Sequence, residues 1–190
     1  MLKKLLLLLA SLLVLLTGFV LLQPDDFRLE RSVTIAAPAS VVFPYVNDLR
    51  RFTQWNPFSR QEPELEETFT GPESGVGAVY AWKGAKTGQG RMTILESRSD
   101  SYVGVKLEFL APMEATDLTE YSITPTGDGV TVTWAMSGPN LFLGKVMNLF
   151  GGMERMVGPD FERGLTALKK LAEAEAGSTP VETVSDLDGR

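Results

Sequence analysis

The sequence of 190 residues contains no histidine and no cysteine. Without histidine, neither a Ser-His-Asp triad nor a Cys-His pair can form, and an imidazole metal site is excluded. Without cysteine, there is no thiolate nucleophile, zinc finger or disulfide. Any chemistry must therefore depend on carboxylates, hydroxyls, amides or the shape of a binding site.

An excess of positive charge is also lacking. The chain has 18 Lys and Arg against 24 Asp and Glu, a net charge of -6, which argues against a nucleic-acid partner. We interpret the negative charge as a solubility feature rather than as steering for a cationic ligand. The 44% hydrophobic and 22% charged residues are typical of a globular protein, and the length predicts one domain of ordinary size.

A long uncharged run is present near the N-terminus. Residues 5–22 carry no charge and lie between Lys3 and Lys4 on one side and Asp25 and Asp26 on the other. The run is long enough to span a bilayer. It exceeds the roughly 7–15 apolar residues of a cleaved signal peptide, and no A-x-A pattern follows it. We therefore predict an uncleaved signal anchor, with the N-terminus in the cytoplasm and the remainder outside the cytoplasmic membrane.

Composition divides the chain into three regions. Residues 1–23 form the predicted transmembrane anchor. Residues 24–177 have the mixed composition of a folded domain. Residues 178–190 are polar, acidic and without periodicity, so we predict a disordered tail.

The folded region begins with a strand and two short helical segments, followed by a series of strands. Residues 28–36 alternate apolar and polar side chains, residues 41–49 form a helix with Pro44 inside it, and residues 50–58 form a further helical turn. Six more strands lie between turns rich in Gly, Pro and Asp: 64–70, 77–83, 90–97, 102–110, 116–124 and 130–137.

Period-two alternation gives this sheet one apolar face and one polar face. The apolar face carries Tyr80, Trp82, Met92, Ile94, Val103, Val105, Leu107, Phe109, Tyr121, Ile123, Val132, Trp134 and Met136. Phe161, Leu165, Leu168 and Ala172 recur at helical spacing and provide a cover for it. Gly151-Gly152 and Gly158-Pro159 predict interruptions in this long C-terminal helix. The predicted fold is therefore α+β, with a curved antiparallel sheet of about seven strands gripping a long helix.

Several short segments occur along the folded region in a characteristic order: 31–38, Val42-Phe43, 47–49, 55–58, Gly75-x-Gly77, Trp82, Gly88-x-Gly90, 92–94, 130–134, Gly138 and 158–165. In this order and spacing they resemble the START-like (SRPBCC) superfamily, in particular its membrane-anchored polyketide cyclase/dehydrase-type members. The resemblance covers residues 27–175 and implies the helix-grip fold. It also implies a pocket for a hydrophobic small molecule or lipid, but a superfamily of many activities does not set the function.

Phosphate-binding and metal-binding motifs are lacking. The glycine pairs 75/77 and 88/90 join strands and do not continue as a phosphate loop, so we predict tight turns there and no nucleotide. No acidic cluster has metal-ligand spacing, and we predict neither a metal nor a cofactor. Three carboxylates on the apolar face are candidate general bases: Glu67, Glu96 and Asp117.

Aromatic and methionine side chains are the most informative candidates for a site. They are Trp55, Tyr80, Trp82, Met92, Phe109, Tyr121, Trp134, Met136, Met147, Phe150, Met153 and Phe161. Each alone is explained by a hydrophobic core, but a sheet that grips one helix tends to leave a hollow, and ligand pockets are lined in this way. The apolar segment 141–153 is a candidate lid, a membrane-dipping surface, or a buried helix.

Three functions follow for this chain. The first is a membrane-anchored, extracytoplasmic domain that binds a hydrophobic small molecule or lipid between the sheet and the C-terminal helix. The second is an enzyme of the cyclase, dehydratase or hydrolase kind that uses a buried carboxylate or tyrosine in the same cavity. The third is a ligand-free interaction module whose pocket is filled by its own side chains.

Overall fold

The structure is a computed structural model that describes residues 2–60, 62, 64–140, 144–146 and 151–178. Its elements, in chain order, are α1 (Leu2–Leu21), β1 (Asp26–Ile35), α2 (Ala39–Asn47), α3 (Leu49–Phe52), a 3-10 helix (Pro57–Arg60), β2 (Glu66–Thr70), β3 (Val79–Gly84), β4 (Gly88–Arg98), β5 (Tyr102–Ala111), β6 (Ala115–Thr126), β7 (Gly129–Pro139) and α4 (Gly152–Ser178). Most of the predicted tail lies outside the described residues.

All pairings in the sheet are antiparallel. Within the described residues the sheet has seven strands in the order β1-β7-β6-β5-β4-β3-β2. Strands β2 to β7 each pair with their neighbours in sequence, and β1 pairs with β7. This architecture confirms the α+β helix-grip prediction, and the strand positions agree with the alternation within a few residues.

Helix α4 covers the apolar face as its spacing predicts, since its inward residues are almost fully buried: Phe161, Leu165, Leu168 and Ala172. The interruption predicted at Gly158-Pro159 is absent, because α4 begins at Gly152 and continues through Pro159. Gly158 leaves room for Arg31 of β1, whose guanidinium pairs with Glu154 and Glu162 on either side of the proline. These ion pairs join β1 to both halves of the helix.

The segment between β1 and β2 delivers aromatic side chains to the core. Asp48 caps α3, its carboxylate accepting from the backbone N–H of Arg50 at 2.8 Å. The short helix then turns Phe52 and Trp55 inwards, where both are almost fully buried. The Trp55 indole N–H donates to the Tyr45 carbonyl at 2.8 Å, which fixes the ring against α2.

Charged side chains pair across the strands on the outer face. Glu108 accepts two hydrogen bonds from Arg91, at 2.6 and 3.0 Å, and lies 3.2 Å from the Lys106 ammonium. These cations lower the pKa of Glu108 to about 2. Glu120 accepts from Arg28 at 2.8 Å and from the Tyr102 hydroxyl at 2.9 Å. The outer face is therefore polar, as predicted.

Helix α1 is long and apolar enough to cross a membrane. A signal sequence near the N-terminus has the same properties. The chain that leaves α1 is bound to the end of β7, because Asn140 donates to the carbonyls of Asp25 at 2.6 Å and Pro24 at 3.0 Å. Lys145 adds an ion pair with Asp25 at 2.6 Å.

Candidate functional site

A cavity of about 300 Å³ lies between the inner face of the sheet and helix α4. Strands β3 to β7, α3, the 3-10 helix and α4 all contribute to its wall. The lining residues are Phe52, Asn56, Phe58, Ser59, Leu65, Tyr80, Trp82, Thr87, Met92, Leu107, Phe109, Thr119, Tyr121, Trp134, Met136, Val157 and Phe161. None of these described residues carries a charge.

Two glycines allow the aromatic wall to form. At Gly90 of β4, the Trp82 indole and the Glu108 carbonyl occupy the space that a Cβ would take, so only glycine fits there. Gly164 of α4 plays the same part for Trp134, whose ring would lie 2.9 Å from an added Cβ. Trp134 is thereby free to stack on Phe161, with ring centroids 3.8 Å apart and planes 9° from parallel.

Most of the aromatic and methionine candidates line this cavity: Tyr80, Trp82, Met92, Phe109, Tyr121, Trp134, Met136 and Phe161. Trp55 does not. Its indole packs edge-on against Phe52, Tyr121 and Trp134, so it belongs to the core behind the wall. Met147 and Phe150 lie outside the described residues, as does most of segment 141–153. Met153 lies in α4, but its side chain is outside the description.

Polar side chains beside β2 and β3 satisfy one another. The Tyr80 hydroxyl donates to the Glu67 carboxylate at 2.7 Å and lies 3.4 Å from the Ser59 hydroxyl, which accepts from Asn56 at 2.9 Å. Burial raises the pKa of Tyr80, so its hydroxyl keeps its proton at neutral pH. At this end of the cavity, each of these polar groups therefore has a hydrogen-bond partner within the protein.

The wall formed by β6 and β7 differs. The Thr119 hydroxyl, the Tyr121 hydroxyl and the Trp134 indole N–H are buried and have no hydrogen-bond partner in the described part of the chain. All three residues line the cavity and are at most 3% exposed. A buried polar group left in this state costs about 1–3 kcal/mol. The three polar atoms have almost no accessible surface, so they are buried within the wall.

The three candidate carboxylates occupy different environments. Asp117 lies on the inner face and is buried, but it contacts the β7 backbone at Gly138 and does not line the cavity. Glu67 is exposed and reaches the cavity only through the Tyr80 hydroxyl. The placement of Glu96 on the inner face was wrong, since the side chain is exposed and pairs with Arg98 at 3.1 Å. A register shift between Ile94 and Glu96 breaks the alternation there.

Asp117 should make stability depend on pH. Burial raises its pKa from 3.8 to about 6, so the folded state holds this proton more tightly than the unfolded chain. Its contribution is fully present below pH 4 and is lost as pH rises through 6. We expect the wild type to lose about 2 kcal/mol of unfolding free energy between pH 4 and 7 relative to Asp117→Asn. Urea titrations across this range measure the difference.

The control for this prediction is Asp128→Asn, which removes a negative charge from the exposed turn between β6 and β7. This variant should follow the wild-type pH profile. Parallel profiles for the wild type and Asp117→Asn would contradict the role given to the buried carboxylate.

Sequence patterns had not singled out Thr119, Asn56 or Ser59 as site residues. A signal for Thr119 was available, because it lies between Asp117 and Tyr121 on the inward phase of β6. Nothing comparable marked Asn56 and Ser59. Their positions depend on the 3-10 helix that follows Trp55.

The helix-grip fold and the cavity between sheet and helix define a START-like, ligand-binding class of protein. The family model described as "Polyketide cyclase / dehydrase and lipid transport" matches residues 26–173, and the chain belongs to this family. None of the curated proteins compared with the chain matches it.

Solved structures share the fold at low sequence identity. The di-domain ARO/CYC StfQ from the steffimycin biosynthetic pathway superposes with a TM-score of 0.59 at 14% identity, over 80% of this chain and 52% of its own. A protein of unknown function, SA2116 from Staphylococcus aureus, gives 0.58 at 13% identity over 80% and 97%. MLL2253 from Mesorhizobium loti gives 0.56 at 12% over 78% and 98%. At these identities the likeness concerns the fold alone.

Proposed function

We propose that this domain binds a small, mostly apolar molecule in the cavity between the sheet and α4. The observation that carries the proposal is the lining, in which the described residues are uncharged and chiefly aromatic or aliphatic. Moving apolar surface from water into such a lining is favourable by roughly 25 cal/mol per Å² before the costs of association. The cavity therefore gains most from a ligand with an apolar body.

The size of the cavity favours a small molecule over a two-chain lipid. Its volume of about 300 Å³ lies at the lower end of ligand pockets, which span roughly 300–1,000 Å³. A two-chain lipid carries far more methylene groups than this space can enclose. Of the two ligand classes expected from the sequence, the compact one fits.

Co-purification tests this function. The full chain, extracted from its own host in mild detergent, should retain a small apolar compound that native mass spectrometry detects. Val157→Phe adds a ring at the wall formed by α4 and should lower the bound fraction several-fold. Val76→Phe makes the same change at a position that is 60% exposed and should leave the bound fraction unchanged.

Two results would contradict the proposal. If the wild type carries no compound and binds none from a host extract, the domain acts as a ligand-free interaction module. If both phenylalanine variants lose the compound equally, it binds outside the cavity.

The enzymatic alternative has one specific observation in its favour. Tyr80 lines the cavity and its hydroxyl donates to Glu67, which places a phenol oxygen beside the ligand and a carboxylate behind it to accept the phenol proton. No acidic side chain reaches the cavity directly among the described residues. We therefore place binding first.

We also propose that α1 anchors the domain on the outer side of the cytoplasmic membrane. The support is the apolar length of α1 together with Lys3 and Lys4 before it and Asp25 and Asp26 after it. The anchor would then hold the cavity beside a bilayer, where apolar molecules concentrate.

The lack of native cysteine makes this orientation directly measurable. A single Asp128→Cys substitution in the exposed turn between β6 and β7 should react with a membrane-impermeant maleimide in right-side-out vesicles. Lys3→Cys is the control and should react only after permeabilisation. The reverse labelling pattern would overturn the orientation, and an intact mass lacking the first residues would show a cleaved signal instead of an anchor.

A further inference from the structure

The register of the sheet brings the start of β1, the end of β7 and the hairpin between β5 and β6 to one edge, which we call the α1 end. β1 begins at Asp26, opposite Pro139 at the end of β7. β7 runs antiparallel to β6, which begins at Ala115, so the hairpin of residues 112–114 lies at the same edge. Neighbouring strands are about 4.8 Å apart, which places the hairpin roughly 10–15 Å from the start of β1.

The cavity lies in the half of the domain nearer the α1 end. On β5, for example, it is lined by Leu107 and Phe109, close to the end of that strand at Ala111. Inward side chains further from the α1 end belong to the packed core and do not line the cavity: Ile94, Val103, Val105, Ile123 and Val132. The surface at the α1 end is therefore the one that the cavity lies beside.

The β5–β6 hairpin also touches a segment that lines the cavity. Gly88 pairs with Gly84 across the turn between β3 and β4, and Thr87 in this turn is a lining residue. A Cβ added at Gly88 would lie 3.2 Å from the Pro112 ring, so the turn and the hairpin are packed side by side. Both belong to the rim of the domain at the α1 end.

This rim exposes large apolar side chains. Leu110 is 49% exposed and Met113 is 65% exposed, while Lys86 is exposed in the neighbouring turn. Apolar groups beside a lysine suit a membrane interface, where they reach the acyl boundary and the ammonium meets anionic headgroups. Because Glu114 follows Met113, such a contact would be shallow, with the carboxylate kept out of the hydrocarbon.

Helix α1 identifies the bilayer as the partner of this rim. Val20, in the last turn of α1, is 2% exposed, so other parts of the chain cover this end of the helix. Asn140, which follows β7, donates to the carbonyls of Pro24 and Asp25 and holds the connection against the sheet. An apolar helix held this closely brings the surface of its bilayer to the α1 end of the domain.

We propose that the α1 end rests on the bilayer that holds α1, with Leu110 and Met113 in the headgroup region and the cavity on the membrane-facing side. This inference rests on the proposed anchor, and it adds the surface and the orientation by which the folded domain meets the membrane. The orientation places the cavity against a phase in which apolar ligands dissolve.

Fluorescence quenching in lipid nanodiscs tests the contact, with the full chain, which has no native cysteine. Met113→Cys and the control Val76→Cys are each labelled with the fluorophore NBD. Val76 is 60% exposed and lies between β2 and β3, at the opposite end of the sheet. Nitroxides on lipid tails should quench the Met113 label several-fold more than the Val76 label, and a water-soluble nitroxide should show the reverse preference.

A paired substitution tests whether the two apolar side chains make the contact. With the NBD label at Glu114→Cys, the change Leu110→Thr with Met113→Asp should lower quenching by lipid nitroxides several-fold. Val76→Asp with the same label should leave the quenching unchanged. Threonine keeps strand propensity and aspartate suits a turn, so the Tm of each variant should stay close to that of the wild type.

The other outcomes overturn the inference, each in a distinguishable way. If only the water-soluble nitroxide reaches the Met113 label, the hairpin faces solvent and the anchor is unaffected. If neither nitroxide reaches it, a protein surface such as a second copy covers the hairpin. Unchanged quenching in the paired variant removes the role given to Leu110 and Met113.

Failure of the anchor itself gives a different result. If the full chain is not retained in the nanodiscs, α1 does not hold the domain on a bilayer, and the proposed anchor fails together with this inference. Ligand binding in the cavity is tested separately by co-purification, so it can stand in either case.

Discussion

Replacing Trp55 with alanine is expected to lower the free energy of unfolding by about 3–5 kcal/mol, the range for a large aromatic side chain removed from a core. Trp55 is 1% exposed and lies edge-on to three other rings, so its removal leaves a void that they cannot fill without moving. The indole hydrogen bond to Tyr45 is lost as well. Urea unfolding followed by circular dichroism measures the change.

Trp82→Ala is the matched comparison for this prediction. Trp82 is only partly buried and lines the cavity, so the same substitution should cost less stability and lower the bound fraction of the co-purifying compound more. A larger loss of stability for Trp82→Ala than for Trp55→Ala would contradict the assignment of Trp55 to the core and of Trp82 to the wall.

Gly164→Ala should have the second large effect. An added Cβ would lie 2.9 Å from the Trp134 ring and 3.0 Å from Pro57, and neither of these rigid groups can move aside easily. Overpacking of this kind costs about 1–3 kcal/mol, which outweighs the gain in helix propensity of at most about 1 kcal/mol. Since α4 would be pushed away from the wall, ligand binding should weaken as well.

Gly177→Ala is the control within the same helix. Nothing lies within 4 Å of its added Cβ, so only the propensity term remains and stability should stay equal or rise. Thermal unfolding of both variants separates the two contributions. If Gly164→Ala is as stable as Gly177→Ala, α4 does not depend on close contact with Trp134.

The fold was predictable because its periodicities are local. Alternation along the strands identified the inner face, and the spacing of Phe161 and Leu165 identified the helix that covers it. The prediction was wrong where a tertiary contact changed a local rule. A bulge turned Glu96 outwards, and ion pairs from Arg31 accompany a helix that continues through Pro159.

The sequence predicted which types of residue would line the cavity, but not which individual residues would do so. Aromatic residues on the inward phase of strands were expected to surround a hollow, and most of them do. Residue type could not distinguish Trp55, which lies behind the wall, from Trp82, which forms it, because both are large and apolar. The three unpartnered groups could not be found at all from sequence, since the lack of a partner is a property of the packed structure.

The connection between α1 and β1 has a mechanical consequence. Only residues 22–25 separate the two elements, and five extended backbone steps reach about 17 Å at most. The bonds from Asn140 and Lys145 to Pro24 and Asp25 shorten that reach. With α1 as the proposed membrane anchor, so short a connection would keep the cavity at the membrane surface. A long flexible spacer inserted after residue 23 would then let the domain exchange its ligand away from that surface.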